Sequence, residues 1–136
     1  MNRIYEYIDE FIGYVNTHSD RFNSIAVPSY RSQQIDLPIE NCITVFCCES
    51  YDFKKVHNND TGMTTESESL SISISCYVSF NNSALSAQNI CGNILKALKD
   101  DFNAVTGYKL GKIESDSDTR AFVTNGMIYL DFKTDY

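Results

Sequence analysis

Cysteine and histidine are the side chains here best suited to covalent or metal chemistry, and the chain has five of the first and two of the second. A nucleophilic cysteine needs a thiolate and a base within hydrogen-bond reach. His57, in a polar stretch shortly after Cys47 and Cys48, is the base such a nucleophile would use. Neither His57 nor His18 sits in a motif such as Gly-x-Ser-x-Gly. Cys42, Cys47, Cys48, Cys76 and Cys91 all fall in or beside apolar segments, where a thiol serves as a small core residue. A cysteine enzyme built on Cys47 or Cys48 with His57 is therefore a remote option. No Cys-x-x-Cys pair exists to grip zinc, and adjacent Cys47 and Cys48 on a strand point to opposite faces. Glu114, Asp116 and Asp118 alternate and could offer carboxylates to calcium, but the glycine and the distant glutamate of a calcium loop are missing, so a solvated acidic turn is the better reading. Glu66 and Glu68 read as charged guards at the start of a long strand. The six glycines are scattered singly, which excludes a phosphate-cradling loop. The expectation is a protein that is not an enzyme, with no catalytic, metal or cofactor-binding residues.

The elements that would position these side chains follow from periodicity. Ile4, Ile8, Phe11, Ile12 and Val15 form one stripe of an amphipathic helix from residue 3 to about 18. Residues 20–40 hold both prolines, Pro28 and Pro38, and read as a loop with a short edge strand near Ser24–Val27. Cys42–Cys48, rich in β-branched and aromatic residues, predicts a strand central in a sheet, with a continuation toward Tyr51 or Phe53. Residues 54–68 are polar, with Asn59, Asp60 and Gly62 as turn formers, and read as a long hairpin connection with a flexible tip. From Leu70 to Phe80 apolar residues alternate strictly with Ser71, Ser73, Ser75, Tyr77 and Ser79. One face of that strand is core and the other a ladder of small hydroxyls with one tyrosine. Ser83 to Leu98 is a capped helix, 108–115 a strand, 115–119 an acidic turn and 120–134 the closing strands, with a bend or bulge at Asn125-Gly126. Gly13 and Gly92 lie within helical patterns and suit close helix-to-sheet packing or an intersubunit contact. The fold class is α+β, one domain over residues 1–136: a mainly antiparallel sheet of about four to five strands with two helices packed on one face.

Whole-chain quantities narrow the classes. The chain has 136 residues, 43% hydrophobic and 21% charged, which suits one folded domain and excludes disordered, collagen-like and coiled-coil readings. Its net charge of −7 excludes a sequence-wide nucleic-acid binder, since such affinity comes from neutralising phosphates. The first residues lack the basic flank and apolar run of a secretory signal, and no apolar run approaches membrane-helix length. The reading is a soluble chain made in the cytoplasm, with reduced thiols and no membrane partner.

Taken together, the N-terminal amphipathic helix, the alternating strand Leu70–Phe80, the helix that follows it directly and the closing pattern Ser117-Asp118-Thr119-Arg120 then Gly126-Met127-Ile128-Tyr129-Leu130-Asp131-Phe132 resemble the tail terminator (tail completion) proteins of long-tailed bacteriophages and phage-tail-like particles. The resemblance implies a virion or tail-particle subunit made in the bacterial cytoplasm. It implies a ring, a hexamer in that family, that caps the head-proximal end of the tail tube and ends its polymerisation. Its implied partners are further copies of itself, the tail tube protein and the head connector or cap protein, while DNA passes through without specific binding. Candidate interface residues are Ser71, Ser73, Ser75, Tyr77 and Ser79 on the hydroxyl face, and His57, Asn59 and Met63 in the polar connection. The alternative is a small ferredoxin-like ligand-binding or regulatory domain with Tyr77 as the floor of its site.

Overall fold

The computed structural model describes residues 3–22, 24–28, 42–118 and 120–136. The architecture is α+β. Helix α1 (Arg3–Thr17) leads through a single turn, α2 (Ser19–Phe22), into β1 (Ser24–Pro28). After the undescribed residues 29–41 come β2 (Cys42–His57), β3 (Thr64–Ser79), α3 (Ala84–Asp101), β4 (Val105–Asp116) and β5 (Ala121–Asp135). They form one sheet in the order β1-β2-β3-β5-β4, antiparallel throughout except that β1 runs parallel to β2. Within the expected loop at 20–40, β1 is the short edge strand expected near Ser24–Val27, the residues through Phe22 belong to helix α2, and 29–41 lie outside the described residues.

Both long helices cover the same sheet face. Ile8, Phe11 and Val15 of α1 and Cys91, Ile94, Leu95 and Leu98 of α3 pack with Phe46, Leu70, Ile72, Ile74, Cys76, Ile128 and Leu130 in one buried cluster. These sheet residues share a parity, as period-two alternation requires when one face is core. Ser83 caps α3 by accepting from Leu85 N at 3.3 Å. The two helices also touch: Phe11 meets Phe102 edge-on at 5.0 Å, and the Tyr14 hydroxyl donates to the Asp101 carboxylate.

Three expectations need correction. The polar connection assigned to residues 54–68 is mostly strand: β2 runs on to His57, β3 begins at Thr64, and the turn is 58–63. Glu49 to Met63 is exposed, so this part of the hairpin has little hydrophobic alternation to betray it. The closing strands are one strand, β5, and the irregularity expected at Asn125-Gly126 belongs to its neighbour β4, whose register shifts between Leu110 and Ile113. Strand β2 lies beside the sheet edge, flanked over Cys42–Phe46 by β1, and β3 is the central strand. Of the two helical glycines, Gly92 meets Leu110 Cδ2 at 3.4 Å from a built Cβ, whereas Gly13 faces nothing within 4 Å.

Candidate assembly surface

The sheet face away from α1 and α3 presents Ile43, Val45 and Cys47 of β2, the ladder Ser71, Ser73, Ser75 and Tyr77 of β3, and Val123, Asn125, Met127 and Tyr129 of β5. No described element packs over it. Its side chains are mostly half-buried by one another, with Tyr129 at 40% exposure and Val123 buried. The surface therefore mixes hydroxyls with aliphatic, thioether and phenol groups, the composition of a protein-binding face more than of a solvated one.

The serine ladder is more committed than alternation alone suggests. Ser75 Oγ donates to Asn125 Oδ1 at 2.6 Å, and Ser73 Oγ to the Cys47 carbonyl at 3.3 Å. One step further out, Ser69 Oγ donates to Asp131 Oδ1 at 2.8 Å. Ser79 is buried, and its Oγ accepts from Asn81 N at 3.2 Å, so it turns the chain into α3 and presents nothing to a partner. Tyr77 lies at the edge of an open recess of about 350 Å³ shared with Glu114, Asp116, Val123 and Asn125. Its phenol pKa is raised by burial first and by the negative charge of Asp116 second.

The other candidates are elsewhere. His57 ends β2 with Nδ1 2.8 Å from Thr64 Oγ1, on the helix side of the sheet. Asn59 is exposed in the turn, where Asn58 Oδ1 accepts from Asp60 N at 2.9 Å and Gly62 takes φ +72°. Met63, 49% exposed, closes that turn. Since Thr64 and Ser71 are seven residues apart on β3, this tip is about 24 Å from the ladder, and the two groups form separate surfaces.

The same geometry removes the cysteine-enzyme option. Cys47 and His57 are ten residues apart on one strand, on opposite faces and about 30 Å apart, far beyond proton-transfer reach. Cys42, Cys76 and Cys91 are buried and free. Burial pushes the Cys42 thiol up to about 12, and the hydrogen bond that the Cys76 thiol donates to Cys91, followed by burial, raises that of Cys76. Thiols so placed are inert packing groups. Among the described residues no three His, Cys, Asp or Glu side chains converge as a metal site would require. Glu114 and Asp116 share the open face, but Asp116 Oδ1 accepts from Asp118 N at 3.0 Å as a turn-former does. Glu66 likewise serves the fold, accepting from Tyr136 Oη at 2.7 Å.

The continuation of β2 to Tyr51 and Phe53, exposed at 39 and 53%, was expected, and what periodicity missed is the outer ribbon beyond it, from Lys54 through Val56, 50% exposed, to His57. Tyr51, Phe53 and Val56, spaced among Glu49, Ser50, Asp52, Lys54 and Lys55, were the available signal. Among the described residues, no helix is long and apolar enough to cross a membrane. No family model matches this chain, and no curated protein matches it.

Proposed function

We propose that this protein is a structural subunit of a phage tail or phage-tail-like particle that forms a ring on the head-proximal end of the tail tube, ending its polymerisation and joining it to the connector or cap. The observation that carries this reading is the uncovered face of the sheet. Among the described residues both long helices pack on one side, and Val45, Cys47, Met127 and the serine ladder, half-buried, with Tyr129, exposed, are left on the other as a face another protein can cover. A three-stranded ribbon extending past the helical layer supports the same role, since such projections reach neighbouring subunits. The acidic balance of −7 suits a lumen past which DNA slides without adhering. Native mass measured with and without a tail tube protein of the same particle tests the reading. A multi-copy complex that includes the tube protein is expected, and a chain that never associates with it would contradict the proposal.

A ligand-binding domain is the second reading, favoured by the recess at Tyr77. Its outcome differs: a small molecule would quench or shift the Tyr77 signal at stoichiometric concentration and leave the mass unchanged.

A further inference from the structure

Strand β1 covers the outer edge of β2 only from Cys42 to Phe46, and from Cys47 to His57 that edge has no neighbouring strand among the described residues. Residues 49–57 are exposed throughout. A long exposed edge bearing aromatic and β-branched side chains is a template for another strand. Which main-chain groups point outward follows from the hairpin. Asn58 N donates to Met63 O at 2.8 Å, so Asn58 faces β3; Thr64, the partner of His57, exchanges both its bonds with Tyr136 on the far side, at 2.6 and 2.8 Å. Alternation along an antiparallel ladder then turns the N–H and C=O of His57, Lys55 and Phe53 outward, to the side on which no described strand lies.

We propose that this edge pairs with the same edge of a second copy of the chain, antiparallel about a two-fold axis through Phe53. Charge selects the register. With Phe53 at the centre, Asp52 lies opposite Lys54 of the partner subunit and Lys54 opposite Asp52 of the partner subunit. Both are non-hydrogen-bonded positions, where side chains approach most closely, on the open face of the sheet. On the helix face the Phe53 rings meet across the axis, and Tyr51 lies opposite Lys55 of the partner subunit. Moving the axis to Asp52 would set two carboxylates face to face, and moving it to Lys54 two ammonium groups, each repulsive. Lysines on an edge ordinarily repel an added strand, but here each Lys54 finds an acid across the axis. The contact is isologous, so it closes at two copies and does not grow into a fibre. It does not rest on the tail reading, because it leaves the open face and the outer edge of β4 available for other partners.

The test is the mass of the full chain in solution, by sedimentation or light scattering across a concentration series. The wild type is expected to dimerise. Phe53→Pro removes an outward N–H without touching the β3 ladder, and should give a monomer with an unchanged thermal transition. Asp52→Lys and Lys54→Asp should each weaken the dimer about tenfold, and the double swap, which restores opposite charges across the axis, should recover it. Should Phe53→Pro fail to fold, the charge swap alone decides. A wild type monomeric at every concentration, a dimer indifferent to Phe53→Pro, or a double variant no tighter than the singles would overturn the proposal. Tube association measured on the same samples keeps failure of this contact distinct from failure of the tail reading.

Discussion

A methyl group added at Gly126 would lie 2.9 Å from Leu95 Cδ1 and 3.0 Å from both Ile74 Cγ2 and Lys109 O, where α3, β3 and β4 converge. Gly111 is tighter still, because a Cβ there would overlap the backbone carbonyl of Asn125 opposite the bulge in β4. Gly126→Ala and Gly111→Ala are each expected to destabilise the fold by roughly 1–3 kcal/mol, read as a lower urea midpoint at unchanged slope. Gly13→Ala, facing open space on α1, should instead stabilise by up to about 1 kcal/mol through helix propensity. The thiols give a pH signature. Because Cys42 keeps its proton in the folded chain up to about 12, the folded state holds more protons than the unfolded one above the ordinary thiol value of about 8.5. Its contribution is thus complete below that value and is lost as pH rises through the window. Stability should fall between about pH 8.5 and about 12, and Cys42→Ala should flatten that fall; an unchanged slope in the variant would contradict the assignment. At this scale the apolar neighbours of Cys42, Cys76 and Cys91 marked them as core, as the fold has them, whereas Cys47, read the same way, lies half-buried on the open face. The glycines were opaque, because a close approach at Gly126 depends on which strands flank it and no local pattern encodes that.

The elements divide according to how strongly one face is buried. Leu70–Val78 of β3 was legible because Leu70, Ile72, Ile74, Cys76 and Val78 are all nearly inaccessible while the alternate residues face outward. The same strand from Thr64 to Glu68, and β2 from Lys54 to His57, have little core beneath them and read as a polar connection. Helices α1 and α3 were legible for the same reason as the inner part of β3, their stripes being the complement of one sheet face. Stability should follow this division. Leu70→Ala is expected to cost roughly 2–5 kcal/mol, whereas Ser67→Ala, three residues outward, should fall within about 0.5 kcal/mol of the wild type. Hydrogen exchange offers an independent check: amides of Leu70–Val78 should exchange at the rate of global unfolding, and those of the outer ribbon well before it.

For the molecule as a whole, one layer of helices on a five-stranded sheet leaves a mixed apolar and hydroxyl face and a long strand edge that no described residue covers. Neither feature could be read from periodicity, because alternation reports that a strand has two faces but not whether a second layer arrives to cover the other. The fold class was legible in the order of elements, whereas the candidate surface needed the register that aligns Cys47, Ser73 and Met127 in one row. Assembly through that face predicts that Met127→Glu, at a half-buried position on it, weakens partner binding while leaving the helical core and its thermal transition nearly unchanged. The central proposal, that the protein ends a tail tube, is tested most directly by electron microscopy of tubes grown from the tube protein with and without this chain. The account predicts shorter tubes carrying a ring of the chain at one end; tubes of unaltered length with bare ends would contradict it.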